Sequence, residues 1–179
     1  MNKIKYLTLS GTFMGLAGVC MLLSENLGAE IAKLLVPVLF GIGGVMALLF
    51  SEANKQHNIA RQYHLLQGVG MIVFAILIGL IPGTLGEFLQ YVTHFMLLFG
   101  LVEVLFGFTA LNTGTKLNMG ILISRFIAGI FNLVGALLIL TISAVDEISG
   151  LLVAGILVLI GGIAFVIFSL RIRRVKPIS

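Results

Sequence analysis

Six long apolar segments, separated by short polar connections, run through almost the whole sequence and leave few folds open to it. They cover Tyr6–Leu23, Ile31–Phe50, Leu65–Ile81, Phe88–Ala110, Met119–Ile142 and Ile148–Leu170. Each has about the 17–25 residues that a helix needs to cross a bilayer. Apolar residues are continuous within them, whereas the strands of a transmembrane barrel alternate. The sequence therefore predicts an all-α polytopic membrane protein with six transmembrane helices in a single domain, residues 1–179.

Composition agrees with a lipid environment. Apolar residues make up 59% of the 179-residue chain and charged residues only 10%, whereas soluble domains carry roughly a quarter charged residues. The lipid bilayer is therefore the predicted partner. The net charge of +4 comes without a basic stripe and interleaved aromatic residues, so no nucleic-acid partner is expected. The single Cys20 follows Val19, where a lipoprotein signal has a small residue, so the first segment is expected to be an uncleaved helix.

The connections alternate in charge and so predict an orientation. If the N-terminus is cytoplasmic, ten of the eleven Lys and Arg residues lie on the cytoplasmic half of the membrane, with Lys33 as the exception. Basic residues collect on the cytoplasmic side of membrane proteins. The remaining connections carry the acidic residues Glu25, Glu30, Glu87, Asp146 and Glu147. Both termini are therefore expected in the cytoplasm.

An internal repeat of about 60 residues is predicted by small residues at matching places. Equivalent positions in the even segments are 59 residues apart, and the small residues found there allow helix backbones to approach closely. The alternative is a chance match between glycine-rich helices. The aligned residues are Gly11, Gly68 and Gly129 in the odd segments and Gly44, Glu103 and Gly162 in the even ones. The repeat divides the chain into three helical hairpins, at about 6–50, 65–110 and 119–170.

These features together resemble a known family. Three hairpins with glycine-led odd helices, the Pro82-Gly83 turn and the short basic tail RIRRVK are similar to the HdeD-like short-repeat membrane proteins. The chain departs from that family in lacking tryptophan and in having no proline after its first and fifth helices. The resemblance implies a bacterial inner-membrane protein with six helices and an association with acid stress. It implies no assigned activity.

Glu103 is the acidic residue deep inside an apolar segment, and Arg125 is its expected partner. A carboxylate in the hydrocarbon region is costly and has to find a partner within the helix bundle. Glu103 lies about 10 Å from the end of the fourth segment and Arg125 about 9 Å from the start of the fifth, at 1.5 Å per residue. The short connection makes these helices antiparallel neighbours at matching depth. The alternatives are a packing ion pair, an Arg125 side chain that extends to the headgroups, and a role in transport or proton handling.

Three further polar residues are candidates. Gln90 and His94, with Glu87, form one polar stripe on the fourth segment, and His94 is expected on the opposite side of that helix from Glu103. Asn132 shares a face with Arg125 and is expected to lie at the Glu103 contact. A hydrogen-bonded packing role, a ligand role and a pH-sensing role are open for His94.

The sequence contains no motif of catalysis or metal binding. His57 and His64 are expected in the second connection, with no spacing typical of metal ligands, and neither a P-loop nor an HExxH motif occurs. No catalytic residue, cofactor or metal is therefore predicted, and the protein is not expected to be an enzyme. Three functions are open: a structural or stress-associated membrane protein, a small proton-coupled transporter or channel using Glu103, and an accessory subunit. Partners could be a second copy of the chain or other membrane subunits.

The predicted orientation can be tested by labelling. Cysteines introduced at Asn54 and Asn112, in the second and fourth connections, should react with a membrane-impermeant reagent only after the cytoplasm is opened. A cysteine at Thr84, in the third connection, should react in intact cells and serves as the control. Reaction of Asn54→Cys or Asn112→Cys in intact cells would overturn the orientation.

Overall fold

The computed structural model describes residues 4–53, 58–80, 83–112, 119–142 and 146–174, and every regular element in them is a helix. The predicted all-α fold is confirmed. Six of the helices are long and apolar enough to cross a membrane, so the chain is an integral membrane protein. The helices are α1 (Ile4–Leu22), α2 (Ser24–Leu27), α3 (Ala29–Ala53), α4 (Asn58–Leu80), α5 (Leu85–Asn112), α6 (Met119–Ile142) and α7 (Glu147–Arg174). The short α2 lies in the first connection and was not predicted.

One boundary differs from its prediction in a way that matters for function. Helix α4 begins at Asn58, well before the predicted Leu65. His64, expected in a loop, is therefore inside a helix and only 1% exposed, so that expectation was wrong. The first turns of α4 contain polar residues because they lie toward one end of the helix bundle, so hydropathy alone places the start of the helix too late. His57 lies outside the described residues.

Two helices that begin at the same end of the bundle have side-chain caps. In the first turn of α5, the Glu87 carboxylate accepts hydrogen bonds from the backbone N–H of Gly83 and Thr84, and the Thr84 hydroxyl accepts one from the Glu87 N–H. This is a capping box, which satisfies N–H groups that the helix leaves free. Ahead of α7, Asp146 accepts hydrogen bonds from the Ser149 hydroxyl and from the Ser149 and Ile148 backbone amides. These bonds lower the pKa of the Asp146 carboxyl.

Three antiparallel helix pairs approach closely at glycines. A Cβ built on Gly44 of α3 would lie 2.9 Å from the Gly68 carbonyl oxygen of α4. One built on Gly129 of α6 would lie 2.9 Å from the Glu103 Cβ of α5. The third contact joins α7 to α1, where a Cβ on Gly11 would lie 2.8 Å from the carbonyl oxygen of Gly162. The last pair brings the first and last helices together, and small residues permit all three approaches.

The two halves of the bundle differ in polarity. Toward the end where α5 and α7 begin, the buried side chains are mostly large and apolar: Val36, Phe40, Phe88, Leu89, Val92, Phe95, Met96, Ala136, Ile139, Leu151 and Ala154. Thr93 is buried among them, and its hydroxyl donates to the Leu89 carbonyl oxygen of its own helix. Toward the end where α5 and α7 finish, the core contains charged and polar side chains. We call the first the apolar half and the second the polar half.

Glycine at the α5–α6 contact should be required for stability. A Gly129→Ala substitution places a Cβ 2.8 Å from the Val104 backbone nitrogen and 2.9 Å from the Gly100 carbonyl oxygen, and backbone cannot move aside as a side chain can. We expect a loss of about 1–3 kcal/mol in the free energy of unfolding in detergent micelles. Gly70→Ala is the control, since its Cβ meets only Leu98 at an ordinary 3.5 Å. Equal effects of the two substitutions would contradict the close packing.

Candidate functional site

Glu103 and Arg125 form a two-point ion pair inside the bundle, which confirms the predicted contact. Arg125 Nε donates to Glu103 Oε2 and Arg125 Nη2 donates to Glu103 Oε1, each at 2.6 Å. Glu103 is 2% exposed and Arg125 is 6% exposed. Charge-assisted bonds of this kind are short and roughly twice as strong as neutral ones, and the fork fixes the orientation of both groups. Arg125 therefore does not extend alone to the lipid headgroups.

The close approach of α5 and α6 brings the two charges together. Arg125 and Gly129 lie one turn apart on α6, and the missing side chain of Gly129 lets the Glu103 Cβ come against the α6 backbone. On α5, Gly100 lies against Gly129 in turn, where a Cβ would be 2.8 Å from the Gly129 carbonyl oxygen. The guanidinium therefore reaches the carboxylate across a narrow interface with no room for a side chain between them.

Two residues of α4 extend the ion pair into a network. Gln67 Nε2 donates a hydrogen bond to Glu103 Oε1, and His64 Nδ1 donates to Gln67 Oε1 at 3.0 Å. Both side chains are buried. Because Glu103 Oε1 accepts from Gln67 as well as Arg125, one carboxylate joins α4, α5 and α6. Sequence reasoning did not identify His64 and Gln67 as site residues. Gln67 lies in the predicted third segment, and His64 directly precedes its predicted start at Leu65. Extending that helix by one turn would have placed both residues on one face, at i and i+3.

Aromatic rings surround the charged groups. The Arg125 guanidinium carbon lies 4.1 Å from the ring centre of Phe106 and 4.7 Å from that of Phe168. Cations are attracted to the faces of such rings, more strongly where water is excluded. Phe50 meets the His64 ring edge-on at 4.8 Å between ring centres. The rings pack against the network without offering it further hydrogen bonds.

A cavity of about 240 Å³ lies beside the ion pair, between α5, α6 and α7. Glu103, Arg125 and Asn132 supply its polar lining, and Asn132 Nδ2 donates to the Ala128 carbonyl oxygen at 3.0 Å. Asn132 therefore lines the same cavity as Glu103 and Arg125, although the hydrogen bond that it donates stays within α6. Among the described residues, Arg125 Nη1 has no hydrogen-bond partner although it is buried. The apolar lining is Phe99, Ala128, Gly161, Ala164, Phe165, Ile167 and Phe168.

The other two candidates lie away from this site. Gln90 and His94 are both exposed on α5, and His94 Nδ1 donates to the Gln90 carbonyl oxygen of the preceding turn at 2.7 Å. Glu103 is buried on the same helix, as the predicted opposite placement requires. His94 and Gln90 therefore contribute no side chain to the network, and Glu87 of the same stripe caps α5.

The site can form hydrogen bonds, and its two opposite charges, on Glu103 and Arg125, neutralise each other. In the part of the chain that the structure describes, no group of three His, Cys, Asp or Glu side chains could hold a metal ion. The Glu103 carboxylate and the Arg125 guanidinium bind each other, and Gln67 and His64 continue the hydrogen bonds from Glu103. The arrangement can join helices, and it can offer guanidinium N–H groups to an acceptor in the cavity.

Comparisons with known proteins found no counterpart: no family model matches the chain, and neither a curated protein nor a solved structure matches it.

The energetic coupling of the pair can be measured with a double-mutant cycle. Glu103→Gln or Arg125→Met alone leaves the other group buried without its partner and should cost about 3–5 kcal/mol in the free energy of unfolding. The double substitution should cost less than the sum of the two, because neither group is left charged and unpaired. The measurement is unfolding of purified protein in detergent micelles.

The matched control is the Glu30–Lys33 pair, 3.0 Å apart near one end of α3, where the Glu30 side chain is 85% exposed. The same cycle with Glu30→Gln and Lys33→Met should give a coupling of about 0–1 kcal/mol. If the stability losses at Glu103 and Arg125 are strictly additive, their coupling energy is no larger than that of the control pair. That result would show that the buried pair is energetically unimportant.

Proposed function

We propose that this chain is a bacterial inner-membrane protein of HdeD-like type, with both termini in the cytoplasm and a structural, stress-associated role without catalytic chemistry. The observation that carries the proposal is the buried network of His64, Gln67, Glu103 and Arg125. It joins three helices through charged groups that already compensate each other. In a bilayer such groups are costly to separate, so the network favours one fixed arrangement of the helices.

The position of the network favours a structural role over conduction. Its charged groups lie in the polar half of the bundle, whereas the core of the apolar half consists of phenylalanine and aliphatic side chains. Thr93 is buried there, and its hydroxyl is satisfied within its own helix. Ser24 of the short α2 is also buried at that end of the bundle. A path for ions or protons needs polar groups or water along its whole length. The described residues offer no such series from the network through the apolar half.

The predicted threefold repeat fits the same proposal. Each of the three matching positions in the even-numbered apolar segments, Gly44, Glu103 and Gly162, lies against the aligned glycine of an odd-numbered segment. The third contact runs from α7 back to α1, so the three contacts follow one another around the bundle. We propose that three hairpins of common origin form this bundle and that the second one acquired charge at the shared position.

Proton-coupled transport through Glu103 is the second candidate. The cavity favours it, because it reaches the Glu103 carboxylate and contains polar lining on two helices. A transporter that protonates Glu103 should lose proton movement in Glu103→Gln while its fold survives, since glutamine keeps the shape and cannot titrate. If Glu103 is structural, Glu103→Gln should instead destabilise the fold, and function should be lost only to the extent that folded protein is lost.

The two candidates can be separated by acid survival. Cells that lack the native protein are given the wild type, Glu103→Gln, or the Glu103→Gln, Arg125→Met double variant, and both survival at low pH and protein abundance are measured. We expect the single variant to lose abundance and survival together, and the double variant to recover both, because no buried charge is left unpaired. Normal abundance with lost survival in both variants would overturn the structural proposal in favour of a titrating Glu103.

A further inference from the structure

We propose that the cavity beside Arg125 is a binding site for a neutral, apolar molecule with a carbonyl oxygen, taken up from the bilayer. The carbonyl accepts a hydrogen bond from the guanidinium, and the apolar body fills the aromatic pocket. The inference goes beyond the structural role proposed above and does not depend on it, because a fixed bundle can hold a ligand whether or not the protein protects cells from acid.

The unpartnered donor at Arg125 points to an acceptor. Arginine has five N–H groups and no acceptor, and two of its nitrogens, Nε and Nη2, are engaged by Glu103. Nη1 is buried and without a partner among the described residues, and Arg125 lines the cavity. Buried N–H groups are almost always hydrogen-bonded in folded proteins. Nη1 itself has almost no accessible surface, so the surrounding rings have to shift slightly before an oxygen acceptor in the cavity supplies the missing bond.

The net charge of the Glu103–Arg125 pair favours a neutral acceptor over an anion. Glu103 binds Arg125 at two points, so the pair carries no net charge before any ligand arrives. An anion beside it would be a further charge without a counter-ion in a low-dielectric environment, which is unfavourable. A neutral carbonyl oxygen accepts the same hydrogen bond without this cost. The site therefore selects an ester, ketone, amide or quinone-type oxygen over a carboxylate or phosphate.

The walls of the cavity determine the rest of the ligand. Phe99, Phe165 and Phe168 supply aromatic surface, and the small residues Gly161 and Ala164 leave the space open. At roughly 30 Å³ per water, 240 Å³ is the volume of about eight waters. That volume holds one or two rings, or a short piece of acyl chain with its carbonyl. A mainly apolar lining with few polar groups is typical of small-molecule sites.

The cavity reaches the lipid-facing surface. Ile167 lines it and is 47% exposed on the outside of α7. A ligand dissolved in the bilayer can therefore reach Arg125 from the side, without passing through water. The same carbonyl chemistry has two sources in a membrane: the ester linkage of a bilayer lipid, and a freely diffusing apolar molecule such as a quinone.

Benzophenone is a suitable probe because it is a neutral aromatic ketone that cross-links to nearby C–H bonds on irradiation. Purified full-length protein in phosphatidylcholine nanodiscs is irradiated with increasing benzophenone, and the labelled peptides are identified by mass spectrometry. We expect saturable labelling on the segments of α6 and α7 that line the cavity. Unlabelled fluorenone, a ketone, should compete at least tenfold better than fluorene, which has the same rings without the carbonyl.

Variants locate the site and the donor. Ala164→Leu fills the cavity and should reduce saturable labelling at least tenfold, whereas Val73→Leu, on the exposed face of α4, is the matched control and should leave it unchanged. Arg125→Lys keeps a cation for Glu103 but removes Nη1, so it should abolish the preference for fluorenone over fluorene. If Ala164→Leu does not fold, Ile167→Trp obstructs the cavity from its exposed rim and takes its place.

The lipid composition separates the two sources. Ester-linked phosphatidylcholine is replaced by its ether-linked analogue, which has no carbonyl. If labelling then rises several-fold, the lipid ester is the resident ligand. Equal, saturable labelling in both lipids identifies a diffusing molecule. Equal competition by fluorene and fluorenone in the wild type would overturn the proposal, as would labelling unaffected by filling the cavity. Tighter competition by octanoate than by fluorenone would show an anion site instead.

Discussion

The structure depends on the compensation of two charges where water is scarce. A lone carboxylate or guanidinium at the depth of Glu103 and Arg125 is unfavourable in a bilayer. Each charge is therefore tied to the other by two hydrogen bonds. The desolvation cost of a buried pair often equals its attraction, so such a pair adds more to specificity than to stability. Here the specificity is geometric, because only one register of α5 against α6 places the fork opposite the carboxylate.

That register is possible because the backbones are close. Gly100 and Gly129 let α5 and α6 meet without side chains between them, so the charged groups reach each other from adjacent turns. The same kind of contact joins α3 to α4 at Gly44 and Gly68 without any charge. Small residues thus provide the common packing of the bundle, and the ion pair is an addition at one of the contacts. Gln67 then extends that addition to α4.

The fold was predictable because its signals are long and redundant, whereas part of the site was not. Six continuous apolar runs specify six helices, and matching depth along neighbouring antiparallel helices was enough to pair Glu103 with Arg125. His64 was missed because the start of α4 is polar and reads as a loop. The cavity could not be predicted at all. It arises where small residues of α7 face Arg125, and that relation between distant segments exists only after folding.

Arg125 couples the packing of the bundle to the cavity. Its Nε and Nη2 hold Glu103, and the Phe106 ring lies against the guanidinium. Its Nη1 is buried and has no hydrogen-bond partner among the described residues. Any molecule that binds Nη1 therefore acts on a side chain whose other nitrogens join α5 to α6. A ligand that accepts from Nη1 without moving the fork stabilises the native bundle, because it satisfies a donor that is otherwise buried alone. One that draws the guanidinium away from Glu103 leaves a carboxylate unpaired and loosens the same interface. The Arg125 guanidinium consequently links occupancy of the cavity to the arrangement of α4, α5 and α6.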